Sequence, residues 1–284
     1  MIPAQFEYVR AGSVDEAVSA LAQHGEDAKV MAGGQSLIPL LRLRLSYPEV
    51  VVDVSRVGEM TGVREDGDHL VIGAMTTHHD VIHDDLVRTH CGLISEATRT
   101  VADPAVRHRG TFGGALAHAD PAGDLPAVAL ALGAEMVVAG SGGRRTVPAS
   151  EFFVDYLQTA VGPNEVLVEV RVPKLGEGWG YRYEKFHRVA QSWAIVGVAA
   201  AVKRSNGSIA EARVGLTNMG STPVRASGVE QALAGGGLDG IAAAAEHAAE
   251  GTSAPSDLNG KTDYREHLAR VLTRRAVTAA AGGS

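Results

Sequence analysis

The spacing of apolar positions changes along the chain, and each change marks an element. Between Ser13 and Gly25, Val14, Ala17, Val18 and Leu21 recur at helical spacing. Ser13 to Glu16 reads as a capping box and Gly25 as the stop. A short strand from Lys29 to Ala32 runs into Gly33-Gly34. An apolar run from Leu37 to Leu45 follows, carrying Arg42 and Arg44. Pro39 lies early enough in that run to be tolerated in a first helical turn. Val50 to Val54 is rich in β-branched residues and predicts a buried strand. The opening unit is thus strand–helix–strand in character.

A strand is expected from Leu70 to Ala74, with Thr76-Thr77 capping a short helix through Val81 and Ile82. Leu93 to Ala102 has helical spacing and stops before Pro104. A second glycine turn, Gly110 to Gly114, precedes an apolar helix from Leu125 to Leu132. Met136–Val138, Arg144–Val147 and Val166–Val172 predict strands of the same subdomain. The texture changes near Gly176. Tyr181–Phe186, Trp193–Val202 and Ile209–Thr217 read as long strands, with Asn206-Gly207 suited to a tight hairpin. Helices are expected over Arg225–Leu233, Ile241–Ala249 and Tyr264–Ala280, with Gly235-Gly236-Gly237 as a linker. The order predicts an α+β chain with a first domain over 1–175, in subdomains of about 1–57 and 58–175. A second domain over 176–284 is expected to be an antiparallel sheet with helices on one face.

Composition narrows the function classes. Of the 284 residues, 45% are apolar and 21% charged, as in ordinary globular proteins. A net charge of -7 argues against nucleic acid, which wants a basic face. Cys91 is the only cysteine, so the chain can neither close an internal disulfide nor hold an iron–sulfur cluster. No stretch approaches the roughly 20 consecutive apolar residues of a membrane span. The N-terminus has neither the basic start nor the apolar run of a signal peptide. A cytoplasmic protein without a transmembrane segment is expected.

Two Gly-Gly turns carry the candidate chemistry: Ala32-Gly33-Gly34-Gln35-Ser36 and Thr111-Phe112-Gly113-Gly114-Ala115. Without Cβ atoms, paired glycines let backbone N–H groups converge on an anion, and a helix N-terminus adds its dipole. Ser36 and Thr111 offer hydroxyls. Either turn alone is more readily a plain tight turn. Downstream, His118, Asp120 and Asp124 admit three accounts: Asp124 as a helix-start carboxylate, Asp120 or Asp124 holding a nucleotide sugar, or all three as metal ligands. His79 and His83 share a helical face, and the cluster with His78 reads as surface histidine. No Gly-x-Ser-x-Gly elbow or Walker-type loop is present, and neither glycine turn spells Gly-x-Gly-x-x-Gly.

Ala32 to Pro39, Thr111 to Gly114 and the Asp120-Pro121 to Asp124-Leu125-Pro126 run together resemble the FAD-binding medium subunit of the xanthine dehydrogenase and aerobic carbon monoxide dehydrogenase family. Lys185 to Arg188 leading to Trp193–Ala199, and Val214 to Arg225, extend the likeness over nearly the whole chain. The resemblance implies a two-subdomain FAD domain of the vanillyl-alcohol oxidase (PCMH) type, followed by an antiparallel sheet plus helices. It implies that Ala32, Gly33, Gly34, Gln35, Ser36 and Leu37, with Gly110, Thr111, Gly113, Gly114 and Ala115, hold the pyrophosphate. Gly73, Ala74, Thr77, Val101, Leu167 and Lys185 are implied to line the cofactor, with Asp120 and Asp124 at its hydroxyls and Trp193 near the isoalloxazine. Relatives commonly read Gly-Gly-Asn where Ala115 stands here.

The implied task is electron relay, with no catalytic residue of its own. A large subunit with a molybdenum cofactor oxidises the substrate, and a 2Fe-2S small subunit passes electrons to the FAD. An external acceptor (quinone, NAD or another) receives them. The alternatives are a self-contained FAD oxidoreductase, a metal-dependent hydrolase on His118, Asp120 and Asp124, and a scaffold that has lost its flavin.

Overall fold

The computed structural model describes residues 2–282. Chain order is β1 (Glu7–Arg10), α1 (Val14–His24), β2 (Ala28–Met31), α2 (Leu37–Leu43) and β3 (Val50–Asp53). β1, β3 and β2 form a parallel three-stranded sheet, with β3 in the middle. Val50 to Asp53 is buried at all four positions because it is covered on both faces. The Ser13 hydroxyl caps α1 at Glu16 N, as the capping box requires.

β4 (Val63–Asp66), β5 (His69–Gly73), β6 (Glu135–Gly140), β7 (Gly143–Pro148) and β10 (Val166–Pro173) make an antiparallel sheet in the order β4-β5-β10-β6-β7. A two-stranded hairpin, β8 (Phe153–Asp155) with β9 (Gln158–Thr159), stands apart. Helices fill the long excursion between β5 and β6: α3 (His78–His83), α4 (Asp85–His90), α5 (Gly92–Arg99), α6 (Pro104–Arg107), α7 (Phe112–His118) and α8 (Asp124–Leu132). α9 (Ala149–Phe152) is a single turn.

The last sheet runs β11 (Trp179–Phe186), β12 (Val196–Ser205), β13 (Ser208–Thr217) and β14 (Val224–Arg225), all antiparallel. Asn206 and Gly207, both left-handed, make the turn between β12 and β13. α10 (Ser227–Leu233), α11 (Ile241–Ala245) and α12 (Thr262–Ala280) follow. Alternation along β12 divides two cores. Val196, Val198, Ala200 and Val202 face α12 and its neighbours, whereas Ala199 and Ala201 join the core of the first half. There α8 lies on the sheet, so close that a Cβ on Gly215 would strike the Ala127 carbonyl. The sheet expected to carry helices on one face is therefore covered on both, the second cover coming from the first half of the chain.

Several expected boundaries shift. The strand expected from Trp193 starts at Val196, because Asn218 and Arg265 take the Ala194 and Ile195 carbonyls into side-chain hydrogen bonds. The helix expected to run to Ala102 ends at Arg99, since Ala102 is left-handed and Arg107 binds the Val101 and Ala102 carbonyls. The Leu37 run stops at Leu43, capped by left-handed Arg44. Arg225, expected to open a helix, pairs with β13 beside Val224, and Gly235-Gly236 is not a free linker but bonds Ile209. Among the described residues, no helix is long and apolar enough to cross a membrane.

Candidate functional site

The two glycine turns meet. A Cβ on Gly33 would land on the Arg109 carbonyl, and one on Gly114 would come within 3.7 Å of Ala32 Cβ. Only glycine permits the approach at residue 33, and Gly34 adopts φ +75°, which other L residues rarely do. Among the described residues, the backbone N–H groups of Gly33, Gly34, Gln35, Ser36 and Leu37 donate to no protein group. Five successive donors at the start of α2 thus remain unspent, with no side-chain cap from Ser36. Unpaired amides at a helix start favour an anion.

The second turn differs. Phe112 N donates to Thr76 O at 2.9 Å and Gly113 N to Ala74 O at 2.9 Å. Gly114 N donates to the Thr111 hydroxyl at 3.1 Å and Ala115 N to Thr111 O at 3.0 Å. Its glycines are needed for contact: a Cβ on Gly113 would overlap Ala74. This turn is the first turn of α7, which sequence reading missed because Gly-Gly is a poor helix former. Thr111 as its cap was the available signal. Gly73, Ala74, Thr77 and Leu167 gather at the same place. Ala74 N donates to Val168 O at 2.8 Å, next to buried Leu167, and Thr77 bridges Thr111.

Beneath this turn His78 donates its backbone N–H to Gly110 O at 2.9 Å. The surface reading of His78 is corrected: its ring is buried, its Nδ1 has no partner among the described residues, and burial pushes its pKa down to about 4, helped by the Arg107 charge. His79 and His83 do share an outer face, and His108 stacks on His79 with centroids 4.0 Å apart.

A second group lies past α7. Asp124 is the first residue of α8, yet its carboxylate does not cap the helix. It accepts from Lys185 Nζ at 2.8 Å and from the Tyr183 hydroxyl at 2.7 Å. The Lys185 and Asp124 side chains are only 3% and 4% exposed. Burial pushes the Asp124 pKa up, and the Lys185 ammonium opposes this. Lys185 also donates to Thr100 O at 3.0 Å, beside Val101. Tyr183 was missed in the sequence, although it shares a strand face with Lys185 two positions on. Asn218 links the rest, its backbone N donating to Pro121 O at 2.8 Å and its side chain to Ala194 O at 2.7 Å. It thereby ties the Asp120 turn to the loop on which Trp193 stands 57% exposed.

The metal arrangement is not assembled. Asp120 Oδ1 accepts from Ala122 N at 2.9 Å and Asp124 is committed to Lys185. Among the described residues no group of three His, Cys, Asp or Glu is placed to hold a metal ion.

A layered α+β chain whose glycine turns meet over an arc of free amides has the form of a dinucleotide-binding flavoprotein. Residues 4–175 match the model described as the FAD binding domain in molybdopterin dehydrogenase, and residues 181–280 the carbon monoxide dehydrogenase flavoprotein C-terminal domain. The chain is 42% identical to the carbon monoxide dehydrogenase medium chain of Hydrogenophaga pseudoflava over 282 residues, 99% of this chain and 98% of that one. It is 38% identical to the 6-hydroxypseudooxynicotine dehydrogenase complex subunit alpha of Paenarthrobacter nicotinovorans, over 99% of this chain and 96% of the relative. It superposes with TM-score 0.96 and 43% identity on a chain of the H. pseudoflava carbon monoxide dehydrogenase lacking the Mo-pyranopterin moiety, covering 99% and 98% of the two. The chain belongs to the family of FAD-binding medium subunits of molybdenum hydroxylases. Its cofactor is FAD, and it is an oxidoreductase subunit.

The residues present suit that cofactor. The five unspent amides of 33–37 supply hydrogen-bond donors for a pyrophosphate without Lys or Arg, and a Cβ at Gly33 would close the approach.

Proposed function

We propose that this chain is an electron relay within a hetero-oligomer, taking electrons from iron–sulfur clusters of a small subunit and passing them to an external acceptor. A large subunit with a molybdenum cofactor would oxidise the substrate. The observation that carries the reading is the amide arc of Gly33 to Leu37, an anion site built from backbone donors. FAD supplies the conversion between one-electron donors and a two-electron acceptor. The chain's own residues bind and orient it. The 33–37 amides would hold the pyrophosphate, with Ala32 flanking them and Gly110 to Ala115 as the surface behind. Gly73, Ala74, Thr77, Val101 and Leu167 would line the cofactor, with Asp120, Asp124 and Lys185 at its polar groups and Trp193 at the open side.

Buried Cys91, its thiol pushed up to about 12 by burial, leaves the clusters to another chain. Relatives of similar identity are named for carbon monoxide and for 6-hydroxypseudooxynicotine, which supports substrate choice outside this chain. We divide the chain near residue 175 into an FAD domain and a C-terminal domain, and place it in the cytoplasm, where a lone reduced thiol is ordinary.

The test uses the chain loaded with FAD, alone and with its cluster-bearing and molybdenum-bearing partners, under anaerobic conditions. Substrate should bleach the flavin absorbance only in the full complex. Bleaching in the chain alone would establish the self-contained oxidoreductase instead.

A further inference from the structure

We propose that His78 is a positioning residue behind the cofactor site, its neutral ring propping Gly110 and giving way, with release of FAD, when it takes a proton. The inference rests on the placement of FAD at Gly33 to Leu37 proposed above and adds a residue behind it. The ring lies against Gly110: a Cβ there would come 2.8 Å from His78 Cδ2 and 3.1 Å from Nε2. His78 also donates its backbone N–H to Gly110 O at 2.9 Å. Gly110 in turn touches the first turn. A Cβ on Gly33 would come 3.0 Å from Gly110 Cα and would strike the Arg109 carbonyl. A shift of Gly110 is therefore felt at the first of the unspent amides.

The ring gains nothing from being polar in this berth. It is 4% exposed, and its Nδ1 finds no partner among the described residues. A phenyl ring would fill the space without an unpaired nitrogen, so what histidine adds is the capacity to take a proton. The surrounding charges make no room for one. Arg107 of α6, pinned by the Val101 and Ala102 carbonyls, opposes it. On α3, Asp80 accepts from the Thr77 hydroxyl, while His79 and His83 lie on the outer face with His108. On α4, Asp84 caps its own helix, Asp85 pairs with Arg88 and His90 with Glu65. On α5, Glu96 pairs with Arg182 and Arg99 reaches the Ile82 carbonyl, and Asp103 caps α6. Burial, with the Arg107 charge, holds the ring's pKa at about 4 against an ordinary 6.5. Above pH 6.5 the ring is neutral whether propped or open, and no proton favours opening. As pH falls from 6.5 towards 4 the open ring binds the proton first, so the open population grows.

The experiment times FAD loss from the assembled complex by the rise of flavin fluorescence, with circular dichroism showing that the fold persists. FAD that leaves through the open arrangement should leave about sevenfold faster at about pH 5 than at about pH 6, the effect of one linked proton. In His78→Phe the two rates should agree within about twofold. The double variant His79→Gln with His108→Gln should keep the parent's change, because those rings lie on the outer face. An unchanged slope in His78→Phe, its loss in the double variant, or a parent rate independent of pH overturns the proposal. So does failure of both His78→Phe and His78→Leu to hold FAD, since the neutral ring acts only as an apolar prop. Gly33→Ala at neutral pH separates the underlying placement: if it loses FAD no faster than the parent, the 33–37 site itself is refuted.

Discussion

Gly33-Gly34 and Gly113-Gly114 are both paired glycines ahead of short helices, and in the folded chain they do opposite things with their amides. From Gly33 to Leu37 every N–H is left without an acceptor among the described residues. From Phe112 to Ala115 every N–H is already committed, to Thr76, Ala74 and Thr111. The first turn can therefore grip a ligand with its backbone. The second gives the first something rigid to lean on, since its glycines face Ala74 and the Thr111 hydroxyl at distances no side chain would allow. A glycine pair in sequence signals close approach. Whether the approach is to ligand or to protein depends on where the hydrogen bonds go.

This contrast can be broken most forcefully at Gly113. Gly113→Val would drive a branched side chain into Ala74, whose amide is tied to Val168 of the central strand β10. We expect a loss of at least about 3 kcal/mol, the upper range of core overpacking, in the chain without cofactor. Urea unfolding of the apo-chain checks this, and an unchanged midpoint would show that the second turn is not a platform.

Gly33→Ala comes next and should act on the ligand instead. One methyl against the Arg109 carbonyl must part the two turns and tilt the free amides. FAD should bind about 100-fold more weakly, a difference of about 2.7 kcal/mol. The apo-chain midpoint should move less than in Gly113→Val. FAD titration by fluorescence quenching reads the affinity, and a change below about threefold would remove the 33–37 arc from the cofactor site.

How much of this was legible in sequence follows the same division. Periodicity found α1, β3, α8 and the long C-terminal strands because each presents a strong apolar face to a core. It missed α7, where Gly-Gly hides a helix that Thr111 caps, and β1, whose burial pattern is mostly exposed. The long Trp193 strand was cut short by Asn218 and Arg265, residues distant in sequence whose side chains capture the preceding carbonyls. Motif order pointed to both turns, Asp124 and Lys185. It could not tell that the amides of one turn are spent, nor that Asp124 faces Tyr183 and Lys185 rather than its own helix end. Those facts are set by contacts between segments tens of residues apart, which no local pattern encodes.

The smallest effect tests the second turn from the other side. The residue after the second Gly-Gly is Ala115, partly exposed at the start of α7. Its backbone N–H already donates to Thr111 O, so only a side chain can give this position a new polar contact. Ala115→Asn costs a few tenths of a kcal/mol in helix propensity, by an order-of-magnitude scale, and offers one amide hydrogen bond worth about 1 kcal/mol. If that amide reaches the cofactor, FAD affinity should rise roughly threefold while apo-chain stability falls slightly. If affinity does not move, the second turn contributes no polar contact even when supplied with one. The division between a gripping turn and a supporting turn would then hold without exception in this chain.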